Sequence, residues 1–345
     1  MDPDAIADEG IAIDNGEQNP NLPLLIVGPS GSGKTYELNI HTIAEIRKRL
    51  KAQNDPAIAQ TRALCMTPFN TATSTLTAKV MKGLEVLIAE DFPLLSADRP
   101  PIVDPNCTTV HHTCRKWLAT YGHLIGEPNM AEVCSEERAK RLLELLQSPE
   151  NFDFYEQNQN DRMREVERVR NELEEELTLA VPNLEELEGA MLAAKACKDA
   201  RLFALTLQEF IRVYKINDFR LVDELFERFG DRRVDAGIEL FEWYERILRH
   251  NRLYDFEDLV IFGLRLAERH ARHIIKSEKV GMIVIDDFQN SYGQQRRFLK
   301  ALMSVEGSPI RLIVACHDHH IAQTMGGQLE LLDRTAYAFT GAHIS

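Results

Sequence analysis

Eight residues near the start of the chain have the types and spacing of a phosphate-binding loop. They are Gly28, Pro29, Ser30, Gly31, Ser32, Gly33, Lys34 and Thr35. Glycines at these positions let successive backbone N–H groups point inward around phosphate oxygens. Lys34 supplies a mobile cation for the β- and γ-phosphates, and the Thr35 hydroxyl is a magnesium ligand. The loop therefore predicts that the chain binds a nucleoside triphosphate with its Mg²⁺ ion.

A pair of acids far along the chain fits the magnesium side of such a site. Asp286 and Asp287 follow an apolar run at 280–285, and Asp286 lies 252 residues after Lys34. A phosphate-binding loop needs a carboxylate at the end of a neighbouring strand to hold the magnesium ion. We expect Asp286 to bind Mg²⁺ through water and Asp287 to polarise the attacking water. The alternative is that both are surface acids at a strand end.

The elements that must position these residues alternate between strand and helix at both ends of the chain. Short apolar runs predict strands at 24–27, 63–66, 108–110, 280–285 and 310–316. Apolar residues at helical spacing predict helices at 36–51, 71–90 and 112–121. This order predicts an α/β fold in which a parallel sheet is flanked by helices.

The middle of the chain has a different character, because from Ser135 to about His250 almost every segment has helical periodicity. In the segment 161–179, apolar residues share one face and charged residues cover the rest, which is typical of a packed helical subdomain or of a coiled-coil partner surface. We predict a flexible acidic arm at 1–21 and a nucleotide-binding lobe at 22–124 and 251–345. The segment 125–250 is then an inserted all-helical subdomain.

Composition limits the possible partners and the cellular location. The formal net charge of −14 argues against strong non-specific DNA binding by the whole chain, although it leaves room for a local basic groove. No apolar run approaches the roughly 20 residues that span a bilayer, and the acidic start lacks a secretory pattern. We therefore expect a cytoplasmic protein with no membrane partner. Six scattered cysteines predict reduced, buried thiols, with metal ligation at 111–114 or 316–320 as the alternative.

Several motifs together resemble the N-terminal half of the UvrD/PcrA/Rep-type superfamily 1 DNA helicases, in motif order from about residue 22 to 327. After the phosphate-binding loop, four segments resemble family motifs. They are 67–73 (TPFNTAT), 109–111 (TVH), 254–260 (YDFEDLV) and 285–290 (IDDFQN). The resemblance implies a RecA-like lobe that carries a long helical insertion before its magnesium-binding acid.

The resemblance also implies ligands and site residues. ATP and Mg²⁺ are the expected cofactors, and the activity is that of a DNA helicase-like ATPase. The catalytic residues would be Lys34, Asp287 and Gln289, with Gln289 near the nucleotide and the DNA path. Single-stranded DNA would contact four residues: Phe69, Asn70, Thr109 and His111.

Departures from the family pattern bear on activity. The catalytic Glu of the family is Asp287 here, which is shorter by one methylene, so we expect weak hydrolysis. His319 stands where the family has a γ-phosphate-sensing Gln, and Ala322 stands where it has an aromatic residue that can stack on a base. Only 59 residues follow Asp286, whereas a second RecA-like lobe needs on the order of 150. We therefore expect that lobe to be absent from the chain and supplied by a partner protein.

Three functions are compatible with these observations. The first is a UvrD-like helicase ATP-binding domain, acting as a truncated relative or as half of a split motor. The second is a non-motor ATP-binding switch or scaffold built on a helicase fold, which the altered third motif and the acidic charge favour. The third is an unrelated P-loop enzyme such as a small-molecule kinase, against which the helicase-like motifs argue.

Overall fold

In a computed structural model, the chain folds into two compact units. One unit contains the described residues up to Thr113 and from Leu264 onward, and the other runs from Cys114 to Gly263. The described residues are 24–28, 31–51, 62–67, 70–91, 107–127, 132–147, 158–199, 215, 231–288, 291, 293–303, 310–317 and 343–344.

A six-stranded sheet forms the centre of the first unit. Its strands, numbered in chain order, are β1 (Leu24–Gly28), β2 (Arg62–Thr67), β3 (Thr108–Thr109), β6 (Val280–Ile285), β7 (Arg311–His317) and β8 (His343–Ile344). Each neighbouring pair is parallel, and the order in space is β3-β2-β6-β7-β1-β8. The predicted parallel sheet is therefore confirmed.

Helices cover this sheet and shield its central strands from solvent. The helices with residues in this unit are α1 (Lys34–Lys51), α2 (Asn70–Asp91), the start of α3 (Val110–Tyr121), the end of α8 (Phe256–Glu278) and α9 (Gly293–Met303). All six residues of β6 are buried, as expected for a strand covered on both faces. Met282 and Val284 share a core with Leu38 of α1 and Leu76 of α2.

The order of the strands differs from the sequence-based expectation in one respect. We expected the magnesium-binding acid on a strand next to β1, but β7 lies between β1 and β6. The two strands therefore share no backbone hydrogen bonds. Contact between the loop and the acid is made instead through Thr35, in the first turn of α1.

The second unit is a bundle of helices with one short two-stranded sheet. The helices are α4 (Glu136–Leu146), α5 (Gln159–Leu177), α6 (Leu184–Asp199) and α7 (Asp231–His250), and the strands are β4 (Glu132–Val133) and β5 (Leu253–Tyr254). Val166, Val169, Leu173 and Leu177 of α5 lie in one core with residues of α4, α6 and α7. The apolar face of α5 thus packs within a helical subdomain and is not a free coiled-coil surface.

Side-chain caps fix the ends of the bundle helices. Ser135, predicted as a helix start, accepts a hydrogen bond from the backbone N–H of Arg138 at 3.1 Å and caps α4. The Arg138 guanidinium in turn donates to the carbonyl of Leu177 at 2.9 Å. That carbonyl belongs to the last turn of α5, where backbone acceptors lack helical partners. One arginine therefore joins the start of α4 to the end of α5.

Composition led to two expectations, one about the cysteines and one about membrane-spanning segments, and the structure bears on both. All six cysteines are free and buried, as predicted. A Cβ added at Gly263 would lie 2.5 Å from the sulfur of Cys114, so a glycine is needed where these two segments cross. Among the described residues, no helix is both long enough and apolar enough to cross a membrane.

Candidate nucleotide-binding site

The phosphate-binding loop joins β1 to α1 through two glycines with left-handed backbone. Gly31 has φ 80° and Gly33 has φ 87°, conformations that residues with a Cβ adopt at a cost. The carbonyl of Gly33 accepts hydrogen bonds from the N–H groups of Tyr36 at 2.7 Å and Glu37 at 3.1 Å. These bonds begin α1 directly at the loop, so the helix N-terminus faces the predicted phosphates. Pro29 and Ser30 lie outside the described residues.

Lys34 and Thr35 form the first turn of α1. Lys34 is only 8% exposed, which is low for a lysine. Thr35 is partly buried, and its hydroxyl donates a hydrogen bond to the Asp286 carboxylate. The structure therefore brings together the two residues predicted as magnesium ligands, although they are separated by most of the chain.

The Asp286 carboxylate is held in place at the end of β6. The backbone N–H of Asp286 donates to the Met66 carbonyl at 3.1 Å, which ties this position to β2. Its Oδ1 accepts from the N–H of Asp287 at 3.0 Å. With the Thr35 hydroxyl as a second donor, the carboxylate has a fixed orientation toward the loop.

The electrostatics around Asp286 favour a bound cation. Burial raises the pKa of Asp286 above its ordinary value, and the negative charge of Asp287 raises it further. The Thr35 hydrogen bond and the charge of Lys79 on α2 act in the opposite direction without cancelling the rise. A divalent cation beside this carboxylate would relieve the cost of its buried charge. The residues present therefore fit Mg²⁺, whose preferred ligands are carboxylate and hydroxyl oxygens and water.

Asp287, predicted to polarise the attacking water, has an unusual backbone. Its φ is 55°, in the left-handed region, where Asp and Asn occur more often than other residues with a Cβ. Its side chain is partly exposed, beside the buried Asp286. Strained backbone of this kind persists where the surrounding structure fixes it, often at functional sites. Gln289, the third predicted catalytic residue, lies outside the described residues.

The predicted DNA contacts are placed only in part. The buried Thr109 accepts a hydrogen bond from the N–H of His112 at 3.2 Å and so caps α3. His111 lies in the first turn of α3 and is partly exposed. Asn70 begins α2, and Phe69 lies outside the described residues. The cap on α3 explains why a threonine suits position 109, whether or not DNA contacts this edge of the sheet.

A second acidic motif, at 255–258, surrounds a lysine that sequence reasoning missed. The Nζ atom of Lys215 lies 2.6 Å from Oδ2 of Asp255, 2.9 Å from Oδ1 of Asp258 and 2.5 Å from Oε1 of Glu245. The Lys215 side chain is 2% exposed. The Tyr244 hydroxyl donates to Asp255 at 3.2 Å. We call these five residues the lysine cluster.

The same two aspartates also start helix α8. The N–H of Asp258 donates to Oδ1 of Asp255 at 2.9 Å, and the N–H of Asp255 donates to Oδ2 of Asp258 at 3.1 Å. This reciprocal pair is a capping box, with aspartate in both positions. The spacing of the two acids could have indicated the cap from sequence. The lysine could not have been found, because no local pattern connects Lys215 with residues 40 positions away.

The lysine cluster has the oxygen geometry of a metal site but already contains a cation. Ligand oxygens of Glu245, Asp255 and Asp258 lie within 4.8 Å of one another. Burial alone would lower the pKa of Lys215, but Asp255, Asp258 and Glu245 together raise it well above its ordinary value. The ammonium group therefore stays charged and takes the place that a metal ion would need. Of the two groups considered as alternative metal sites, 111–114 forms no such cluster, and residues 318–320 of the other lie outside the described residues.

Comparison with known proteins identifies the family. A sequence model described as UvrD/REP helicase N-terminal domain matches residues 13–320, which is most of the chain. No curated protein sequence matches it. The phosphate-binding loop, the distant Asp286 and the parallel sheet agree with the family match. The chain therefore belongs to the UvrD/REP helicase N-terminal domain family, and its sheet unit is the α/β RecA-like lobe of that family.

Proposed function

We propose that the chain is the ATP-binding domain of a DNA helicase-type ATPase, with its nucleotide site formed by residues 28–35, Asp286 and Asp287. Family membership supports helicase-type nucleotide binding at a coarse level. The observation that carries the specific proposal is the hydrogen bond from the Thr35 hydroxyl to Asp286. Two groups with the chemistry of magnesium ligands meet there, at the start of a helix that follows two left-handed glycines.

Each residue has a role in this proposal. Lys34 neutralises the β- and γ-phosphates, while the N–H groups of the loop bind their oxygens. Thr35 and Asp286 would hold Mg²⁺, which when bound neutralises charge that develops on the phosphates. Asp287 orients the attacking water and accepts its proton. Residues 125–250 act as the helical insertion, which lies within the second unit.

DNA binding and a partner belong to the same proposal. Single-stranded DNA passes the carboxyl edge of the sheet near His111 and the start of α2, as the motif resemblance implies. A protein that contributes a second RecA-like lobe would raise hydrolysis, since helicase motors close two lobes on ATP. We place the protein in the cytoplasm, as predicted from its sequence.

ATP hydrolysis measured with and without single-stranded DNA tests this function. Wild-type chain should hydrolyse ATP slowly and faster with DNA, and Lys34→Ala should abolish the stimulated turnover. Lys48→Ala, which removes an exposed lysine from the same helix, should leave turnover unchanged. Transfer of the γ-phosphate to a small acceptor would overturn the proposal.

The non-motor switch is kept as a second candidate because Asp287 is shorter than the family's Glu. It predicts tight ATP binding, lost in Lys34→Ala, with no turnover under any DNA condition. If short reach limits hydrolysis, Asp287→Glu raises turnover. Unchanged or lower activity in that variant would mean that Asp287 does not occupy the catalytic position.

A further inference from the structure

One exposed face of the acidic protein is basic. The segment 264–279 contains five Lys and Arg residues and two Glu, in a chain whose formal net charge is −14. On α8, one row of side chains at spacings of four, three and four residues is basic and exposed: Arg265, Arg269, Arg272 and Lys276. We call this row the basic stripe. His270 departs from helical geometry within α8, yet basic residues on both sides of it remain exposed.

The basic stripe continues onto the neighbouring helix. Arg297 of α9 lies 3.2 Å from Oε1 of Glu268, which sits within the stripe. Lys300, one turn further along α9, is also exposed. Glu278, the other acid of the segment, is bonded to Arg62. Counted by formal charge, basic residues outnumber the two acids on this surface of the two helices.

Like charges at this spacing repel each other within a helix. A row of four cations therefore concentrates positive charge on one side of the helix, and its spacing is complementary to a partner with regularly repeated negative charge. At about 1.5 Å per residue, the stripe spans about 16 Å. A B-form strand carries about five phosphates over that length, since its phosphates advance about 3.4 Å each. Arginine also suits phosphate oxygens, because its planar group can donate two hydrogen bonds at once.

We propose that the basic stripe, together with Arg297 and Lys300, binds the phosphate backbone of a nucleic acid. This inference rests on the proposed function for its choice of nucleic acid, but the surface is distinct from the nucleotide site and needs no ATP. The contact is to phosphates and carries no base specificity. It gives an otherwise acidic chain a local nucleic-acid surface.

Binding of labelled single-stranded and duplex 20-mers to the full chain, without nucleotide, tests the proposal by fluorescence anisotropy over a salt series. The stripe variant is Arg265→Gln, Arg269→Gln, Arg272→Gln and Lys276→Gln. Its affinity should fall at least tenfold. The slope of log affinity against log salt should also become shallower by about 3, since each lost phosphate contact removes about 0.7 to 0.9.

A matched control removes the same number of charges from exposed sites of the helical unit: Lys140→Gln, Arg164→Gln, Arg246→Gln and Arg249→Gln. Its affinity should change less than twofold. If the stripe variant fails to fold, the double variant Arg269→Gln, Lys276→Gln should show about half the change in slope. Equal losses in stripe and control variants would overturn the proposal, because net charge alone would then explain them.

Two further outcomes would also overturn it. One is wild-type affinity in the folded stripe variant. The other is binding of poly-glutamate in place of DNA, which would assign the stripe to an acidic protein segment. Lys34→Ala separates the two proposals, because it should remove ATP binding and leave this DNA affinity intact.

Discussion

Two clusters in this chain contain buried carboxylates, and each offsets the cost of burying negative charge in a different way. At the end of β6, Asp286 has a hydroxyl donor from Thr35 and a carboxylate neighbour in Asp287. In the helical unit, Asp255 and Asp258 surround the ammonium group of Lys215. The donors to Asp286 that the structure shows are a hydroxyl and a backbone N–H, whereas the second cluster contains a cation that the chain itself supplies.

The difference separates the proposed magnesium site from a structural cluster. Among the described residues, the acidic oxygens grouped at metal-ligand spacing are those of the lysine cluster, so oxygen geometry alone would select different acids from those we propose for magnesium. Burial raises the pKa of both Asp286 and Asp258, so the direction of the pKa shift does not distinguish the two clusters. The distinguishing feature is the ammonium group of Lys215, which occupies the space between the oxygens of Asp255 and Asp258.

The largest effect should come from Asp286→Asn. Turnover should fall at least about a hundredfold, because Asp286 would hold the magnesium ion and a bound metal ion contributes several kcal/mol to phosphoryl transfer. Thermal stability without nucleotide should be unchanged or higher, since a charged group with a raised pKa is removed. Glu167→Gln, at an exposed acid of α5, is the control. A large loss of stability in Asp286→Asn would make this carboxylate structural and break the comparison.

Lys215→Met should have the opposite profile. Removing one partner of a buried ion pair typically costs about 3–5 kcal/mol, because it leaves uncompensated charge. ATP affinity in the protein that remains folded should be unchanged. Chemical denaturation measures the loss, and Lys140→Met at an exposed site should change stability by no more than about 0.5 kcal/mol. If Lys215→Met also lost no more than about 0.5 kcal/mol, the stability of the fold would not depend on the lysine of the cluster.

Calcium should distinguish the wild type from Lys215→Ala. Without the lysine, the oxygens of Glu245, Asp255 and Asp258, within 4.8 Å of one another, can surround a divalent cation. Millimolar Ca²⁺ should then raise the melting temperature of Lys215→Ala by several degrees and leave that of the wild type in place. Equal shifts in both proteins would point to calcium binding elsewhere.

A smaller effect should appear in the pH dependence of stability. Burial and the charge of Asp255 raise the pKa of Asp258 from 3.8 to about 7. The folded chain therefore binds more protons than the unfolded chain between these values, and stability contributed by this group falls as pH rises from about 4 to 7. Asp258→Asn should flatten melting temperature against pH in that window. An unchanged slope would assign the dependence to other groups.

The smallest effect concerns cations that are exposed and crowded. Neutralising Arg269 and Lys276 should stabilise the chain by about 0.2–0.5 kcal/mol for each like-charge pair that is removed. The gain should be larger in low salt than in high salt, because exposed charges are screened. Loss of stability would indicate that the basic stripe has a structural role in place of a binding one.

The local structure of the candidate nucleotide site was largely predictable, because its signals are local. The loop sets its own backbone through Gly31 and Gly33, and the apolar run at 280–285 has the same bounds as β6. The order of the motifs was enough to pair Thr35 with Asp286. The position of β7 between β1 and β6 could not be predicted, because the residues of a strand do not indicate which strands lie beside it.

The lysine cluster shows the other limit of sequence reasoning. The acids at 255 and 258 were singled out for their resemblance to a family motif, but their partner comes from a segment with no comparable motif. The basic residues of the stripe and their helical spacing can be read from the sequence. Their exposure could not be predicted, because it depends on which side of α8 packs against the lobe. Sequence reasoning anticipated only that a local basic groove was possible.

The place of β1 in the sheet also has a consequence for biosynthesis. Among the described residues, β1 pairs with β7 and β8, which both follow it by most of the sequence. A ribosome must therefore synthesise the chain as far as β7 before the strand ahead of the phosphate-binding loop gains a neighbour. The bundle helices contact one another over much shorter distances along the chain and can fold earlier. During synthesis, the sheet unit would become resistant to proteases later than the helical unit, and it would have the greater need of chaperones.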